Sequence, residues 1–121
     1  MADSSQSFRD VLVWQKAHAF TLSIYRLTDA FPKSEIFALT SQLRRASGSI
    51  PANFVEGFRK RTKPDKLRYY NTAQGSADEC LYHLILAHDL NYADPLPHQA
   101  DIEEVSRLLQ AYMNGLNRNT G

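Results

Sequence analysis

Apolar residues recur at intervals of three and four along most of this chain, and this spacing constrains the fold more than any other feature. The first stripe consists of Val13, Ala17, Phe20, Ile24, Leu27 and Phe31. That period puts every member on one face of an α-helix, and no strand-like alternation competes with it. Pro32 then predicts the end of the first helix, because the residue before a proline avoids the α conformation.

Three further segments show the same period. Ser34 is a suitable N-cap for the second helix, and Thr62 with Asp65 resembles a capping box at the start of the third. The stripes of these helices are Ile36, Leu39, Leu43, Ala46, Ile50, Phe54 and Phe58; Leu67, Tyr70, Gln74, Ala77, Leu81, Leu84 and His88; and Ile102, Val105, Leu109, Tyr112 and Leu116. Four amphipathic helices with short connections predict an all-α fold, an antiparallel up-down four-helix bundle.

Pro51 falls inside the second helical pattern. It has no N–H to donate to the carbonyl of Ser47, and its ring crowds that carbonyl. The preceding segment, residues 46–49, consists of small residues. We therefore expect helix two to be kinked near Pro51, with a full break as the alternative.

Length and composition indicate one domain that occupies residues 1–121, with disordered tails at residues 1–8 and 117–121. Cys80 is the only cysteine, and the N-terminus shows no basic and apolar leader. Both observations fit a reducing compartment, so we expect a cytoplasmic protein. No apolar run approaches the ~20 residues of a membrane span, and we expect no membrane partner.

Charge is segregated along the chain. The net charge is +1, yet residues 44–68 carry eight basic and two acidic side chains. The predicted nucleic-acid-binding residues are Arg44, Arg59, Lys60, Arg61, Lys63, Lys66 and Arg68. Phe58, Tyr69 and Tyr70 lie close enough in sequence for base stacking. A solvated basic surface is the alternative, because cations are favoured at the end of a helix anyway.

A polar stripe runs along helix two beside its apolar face. It consists of Gln42, Arg45, Ser49, Asn53 and Glu56. A hairpin that turns near residues 61–62 would pair Arg45 with Glu79, Ser49 with Gln74 or Gly75, and Asn53 with Asn71. Gly75 would then let the two backbones approach closely. We interpret the stripe as a polar ladder that fixes register; a ligand or partner surface, or the lining of an oligomer, is the alternative.

Motifs for chemistry are absent from the sequence. It has no glycine-rich phosphate loop, no H-E-x-x-H, no G-x-S-x-G and no C-x-x-C. Glu79 and His83 lack the second copy that a di-iron bundle site uses. Cys80 lies among apolar residues, which indicates a buried, inert thiol. We therefore expect no enzyme, no cofactor and no metal.

Several short strings carry a family resemblance. They are WQKA from Trp14, TSQLRRA from Thr40, SIPAN from Ser49, Glu56-Gly57, and Gly75-Ser76 with Glu79. Over about residues 8–94 the chain resembles the bacterial four helix bundle protein family, also called the ribosomal-RNA intervening-sequence protein family. That family is often encoded within insertions in large-subunit ribosomal RNA genes. Ser47-Gly48 departs from the Ala-Val that the family usually has.

The resemblance implies a bundle that assembles into a homopentameric ring. A relative, the accessory variability protein of diversity-generating retroelements, is similar in fold and binds reverse transcriptase and nucleic acid through a basic surface. The matching basic positions here would be Arg44 and Arg45, with residues 59–68 as a looser match. We expect a non-enzymatic homo-oligomer that contacts RNA, DNA or a nucleic-acid-handling protein. A purely structural scaffold is the alternative.

Overall fold

The computed structural model describes residues 7–118 and places in them four α-helices and no β-strand. The helices are α1 (Leu12–Thr28), α2 (Leu39–Arg59), α3 (Lys63–Asp89) and α4 (Leu96–Arg118), with 3₁₀ turns at Phe8–Asp10 and Lys33–Glu35. Each α-helix packs against the next, and α1 also packs against α4. This closed arrangement with short loops is the predicted antiparallel up-down bundle.

The predicted tails fall largely outside the described residues. Residues 1–6 and 119–121 are not among them, and the prediction of disorder there stays a prediction. Within the described part, Phe8 begins the first 3₁₀ turn, and residues 117–118 belong to α4. The helical order therefore extends slightly further at both ends than the period indicates.

The core follows the predicted stripes. Its fully buried members include Ile24, Leu43, Ile50, Phe54, Leu84, Ile102, Val105 and Leu109. At one end of this core, the Phe54 ring lies 5.0 Å from the Tyr70 ring and 5.2 Å from the Tyr112 ring, centroid to centroid. Each large side chain contributes about 1.5–3 kcal/mol when buried, so this aromatic cluster ties together α2, α3 and α4.

The connection between α1 and α2 differs from the prediction. Helix α1 ends at Thr28, before Pro32 is reached, and α2 begins only at Leu39. Ser34 is not its cap; instead the Oε1 atom of Glu35 accepts a hydrogen bond from the N–H of Leu39 at 3.3 Å. The Glu35 carboxylate, four residues upstream, thus satisfies the first N–H of α2 in place of a conventional N-cap. The 3₁₀ turn Lys33–Glu35 lies in the connection before it.

Two apolar residues of this connection face solvent. Ile36 was expected in the core stripe of helix two, but it is 53% exposed, and the neighbouring Phe37 is 94% exposed. Both precede the first turn of α2, so the helical period does not determine where they point. The prediction that Ile36 is a core residue is wrong.

The start of α3 agrees with the prediction. The Oγ1 atom of Thr62 accepts a hydrogen bond from the N–H of Asp65 at 3.3 Å, and Pro64 lies in the first helical turn. Proline is tolerated there because its missing N–H would have no intrahelical partner.

Helix α2 is continuous through Pro51, which excludes the full break. The carbonyl of Ser47, which Pro51 cannot reach with an N–H, accepts a hydrogen bond from the Oγ1 atom of Thr21 at 2.9 Å, closer than the 3.1 Å from that hydroxyl to the carbonyl of Ala17. Thr21 belongs to α1, and Ser47 is fully buried. A side chain of the neighbouring helix therefore satisfies the carbonyl that the proline leaves unpaired. The kink angle stays a prediction.

We expect Thr21→Val to lower the free energy of unfolding by about 1–3 kcal/mol, because the buried carbonyl of Ser47 loses its partner. The same change in a Pro51→Ala background should cost less, since the substituted alanine offers the missing backbone N–H. Urea unfolding at fixed protein concentration, followed by circular dichroism, measures the four proteins. Equal costs in both backgrounds would contradict the proposed pairing.

The close approach of α2 and α3 occurs at Gly57 and not at Gly75. A Cβ atom added to Gly57 would lie 2.6 Å from Cε1 of Tyr70 and 3.1 Å from the Cβ of Tyr69. At Gly75 an added Cβ would meet nothing within 4 Å. The expectation of tight packing at Gly75 is therefore wrong, because that residue faces solvent on α3.

The two glycines make a matched pair for a stability measurement. Gly57→Ala should lower the free energy of unfolding by about 1–3 kcal/mol through overpacking against Tyr70. Gly75→Ala should raise it by about 0.5–1 kcal/mol, because alanine is the better helix former at an open position. Thermal unfolding of both variants checks the signs, and a harmless Gly57→Ala would show that the contact is loose.

Candidate nucleic-acid interface

Lys66 and Lys63, two of the predicted basic residues, form hydrogen bonds within the bundle. The Nζ atom of Lys66 donates to the carbonyl of Phe58 at 2.8 Å and to that of Gly57 at 3.3 Å. These carbonyls lie in the last turn of α2, and that of Gly57 also accepts the backbone N–H of Lys60 at 3.2 Å. Lys66 therefore acts as a C-terminal cap that ties α2 to α3. The Nζ atom of Lys63 lies 3.5 Å from the carbonyl of Asn117 on α4.

The other basic residues of this region face outward. Arg59, Arg61 and Arg68 are exposed, and Lys60 is partly exposed. The Nζ of Lys60 and the Cζ of Arg68 lie 5.2 Å and 5.3 Å from the centroid of the Tyr69 ring, which holds both cations near one aromatic surface. We call the four outward cations at the connection between α2 and α3, namely Arg59, Lys60, Arg61 and Arg68, the basic turn.

Asp65 partly offsets the charge of the basic turn. Its Oδ1 lies 3.9 Å from Nη2 of Arg68, and both side chains are more than half exposed. An exposed pair at that distance is weak, because water screens both charges. The basic turn therefore keeps most of its positive charge available to an outside anion.

The predicted stacking residues have different surroundings. Tyr69 is partly exposed, whereas Tyr70 is completely buried beside Phe54 and Tyr112. A base cannot stack on Tyr70, so that prediction is wrong. Phe58 packs against the core with the Nζ of Lys66 5.5 Å from its ring centroid. Tyr69 is the aromatic ring of this group that sits among the outward cations.

Arg44 lies away from the basic turn. Arg59 lies fifteen positions further along α2, which is about 22 Å along a helix. Its Nε donates to the hydroxyl of Thr28 at 2.7 Å, and its Nη2 donates to Oδ1 of Asp29 at 3.0 Å and to the carbonyl of Tyr25 at 3.2 Å. Its guanidinium also lies 4.7 Å from the Tyr25 ring centroid. Arg44 thus fastens α2 to α1.

The polar ladder is shorter and shifted compared with the prediction. The Oγ of Ser49 lies 2.8 Å from the Oγ of Ser76, one position beyond the expected partners on α3. Side chains tilt toward the N-terminus of their own helix, so in an antiparallel pair the facing residue on α3 comes from further along the chain. Asn53 does not pair with Asn71; its Nδ2 donates to the Oγ and the carbonyl of Ser49 at 2.9 Å and 2.8 Å.

The remaining predicted ladder residues are not brought together. Gln74 bonds α4 instead: its Nε2 donates to the carbonyl of Ser106 at 3.2 Å, and its Oε1 accepts from the Ser106 hydroxyl at 2.9 Å. The Oε2 of Glu79 lies 3.3 Å from the Nε2 of His83 on its own helix. Among residues 7–118 no ion pair joins Glu79 to Arg45. Three others are exposed, namely Gln42, Glu56 and Asn71.

Cys80 is a buried thiol, as predicted. Burial, and secondarily the negative charge of Glu79, raises the pKa of the Cys80 thiol to about 12. A thiol that stays protonated at neutral pH is a poor nucleophile and a poor metal ligand. Within the described residues, no group of three or more His, Cys, Asp and Glu side chains is arranged to hold a metal ion.

These features define an all-α bundle with a solvent-facing basic turn at one end. Residues 9–113 match the model of the 23S rRNA-intervening sequence protein family, and the chain belongs to that family. No curated protein matches the sequence. Across residues 7–118, no helix has the length and apolar character needed to cross a membrane.

A solved structure supports the same fold. It is the crystal structure, at 1.70 Å resolution, of a protein of unknown function from the S23 ribosomal protein family of Bacteroides thetaiotaomicron. The two structures are similar with a TM-score of 0.78 and 24% sequence identity, over 88% of this chain and 99% of the other. A likeness at this identity concerns the fold alone.

Proposed function

We propose that this protein is a non-enzymatic homo-oligomer of the cytoplasm that contacts nucleic acid, or a nucleic-acid-handling protein, through the basic turn. The observation that carries the proposal is the exposure of three arginines, Arg59, Arg61 and Arg68, at the connection between α2 and α3, where Asp65 forms only a weak pair with Arg68. A phosphate backbone gains affinity from such a surface by releasing its counterions. The partly exposed Tyr69 ring would add a stacking surface.

Assembly would multiply this surface. Tyr82 and Ile85 lie about one turn apart on α3 and are 59% and 42% exposed, which supports a contact between copies on that face. The family resemblance suggests five copies. A ring would repeat the basic turn and raise avidity for a long polyanion without any new contact.

The nucleic-acid contact predicts a salt-dependent affinity. Binding of a structured RNA and of a DNA duplex should weaken steeply with salt, and Arg59→Gln with Arg61→Gln should make the slope shallower by about two. Lys63 and Lys66 are left unchanged because they bond inside the bundle. Fluorescence anisotropy across a salt series measures the slope.

The matched control removes the same charge elsewhere. Arg26 and Arg107 are exposed on α1 and α4, and changing both to Gln should leave the salt slope nearly unchanged. Equal losses in both double variants would indicate a general charge effect and not an interface. If the folded wild-type protein binds neither nucleic acid at low salt, direct nucleic-acid contact is rejected. Contact with a nucleic-acid-handling protein would then be the remaining form of the proposal.

A structural scaffold is the second candidate. It is favoured by the engagement of Lys63 and Lys66 in bonds that hold the bundle together, which gives part of the basic segment a folding role. In that case the outward arginines keep the assembly soluble. The salt series above distinguishes the two candidates.

The assembly itself is testable by mass. Light scattering after gel filtration should give about five times 13.8 kDa for the wild type. Tyr82→Ala with Ile85→Ala should reduce that mass, because two exposed apolar side chains are lost while the core is untouched. Leu12→Ala, which truncates an apolar side chain that is 52% exposed on α1, is the control. A monomeric wild type would contradict the assembly.

A further inference from the structure

A second surface feature lies at the opposite end of α2 from the basic turn. A groove of about 490 Å³ opens there between α1 and the first turns of α2. Its lining consists of Tyr25, Ile36, Thr40, Ser41, Arg44 and Arg45. A smaller hollow of about 200 Å³ next to it is also lined by Thr40 and Arg44. Together with Ile36, these residues line both openings.

Thr40 is a buried polar residue without a partner. It is only 5% exposed, and within residues 7–118 its hydroxyl makes no hydrogen bond. Thr28 is buried to a similar extent, but its hydroxyl donates to the carbonyl of Ile24 at 2.8 Å and accepts from Arg44. The Thr40 hydroxyl is not itself fully enclosed, so it reaches the groove that the residue lines and is available there to a ligand.

The start of α2 adds two unsatisfied donors beside that hydroxyl. The N–H of Leu39 bonds to Glu35, and the first regular backbone bond comes from Gln42 to Ala38. The N–H groups of Thr40 and Ser41 between them have no partner in the described part of the chain. Helix α2 has 21 residues, so its N-terminus also carries a partial positive charge.

Two guanidinium groups line the same groove, but only one of them has a charge that no neighbouring carboxylate of the described residues offsets. Asp29 pairs with Arg44 through Nη2, which offsets that charge; within residues 7–118 the Nη1 donors of Arg44 form no hydrogen bond. Arg45 is exposed and forms no ion pair within residues 7–118. The nearby carboxylate of Glu35 is occupied by Leu39 and by the hydroxyl of Tyr92. Arg45 therefore supplies the unneutralised charge.

We propose that this groove binds a phosphate group. The Thr40 hydroxyl, the N–H groups of Thr40 and Ser41, and the guanidinium of Arg45 converge on its oxygens, while Tyr25 and Ile36 contact the group that carries the phosphate. Phosphate sites at helix N-termini bind the tetrahedral anion in this way, through several hydrogen-bond donors at once. The site does not depend on the basic turn, and a free mononucleotide or a nucleic-acid backbone would supply the same chemistry.

The test follows the backbone amides of the intact protein by TROSY NMR. Separate titrations use inorganic phosphate, adenosine 5′-monophosphate and a short single-stranded RNA. We expect the Thr40 and Ser41 amides to shift. Shifts with the mononucleotide assign a free ligand, and shifts with RNA alone assign a backbone phosphate; both support the phosphate site. Unmoved Thr40 and Ser41 amides in all three titrations would overturn it.

Variants separate binding from folding. Arg45→Gln should weaken binding about tenfold, and Thr40→Val about threefold or more. Thr40→Val should not lower the melting temperature, because the Thr40 hydroxyl forms no hydrogen bond to another residue within residues 7–118. A lower melting temperature with unchanged phosphate affinity would show a structural role and reject the proposal. The Arg59→Gln, Arg61→Gln protein should keep the groove shifts, so the two proposals fail independently.

Discussion

The geometry of this protein depends on how closely α2 approaches α3 beside their connecting turn. The absence of a side chain at Gly57 lets the Tyr70 ring lie directly against the α2 backbone, and Phe54 stacks on the same ring. Lys66 then bonds the carbonyls at the end of α2. With three contacts holding this corner, the turn between the helices is short, and Lys60 and Arg68 both lie near the Tyr69 ring.

The helical period predicted the architecture because residues that face the core recur every three or four positions along each helix. Leu43, Ile50 and Phe54 are core residues for the reason their spacing indicates. The same reasoning failed at Ile36, where a carboxylate from Glu35 lets the chain enter α2 later than the apolar pattern suggests. Sequence spacing also missed the shift that places Ser76 opposite Ser49, because it counts residues and ignores the tilt of side chains along each helix.

The sequence predicted which residues of the candidate site are basic, but it did not predict what each of them contacts. The sequence shows which segment is basic, but it does not show that Lys66 is an internal cap or that Arg44 is bonded to α1. Those roles depend on carbonyls and hydroxyls supplied by other turns of the bundle. For the same reason, the sequence alone does not show that the Thr40 hydroxyl has no hydrogen-bond partner within residues 7–118.

The hydrogen bond from Thr21 to Ser47 has a consequence for how the chain folds. Alone, α2 would contain a proline and a small, flexible segment, and neither favours helix in isolation. The Thr21 hydroxyl reaches the Ser47 carbonyl only when α1 packs on α2 in one register, since a shift of one turn would leave that carbonyl without a partner. Pro51 therefore makes the hydrogen bonding in the middle of α2 depend on α1, and this dependence favours the one register of the two helices in which Thr21 meets the Ser47 carbonyl.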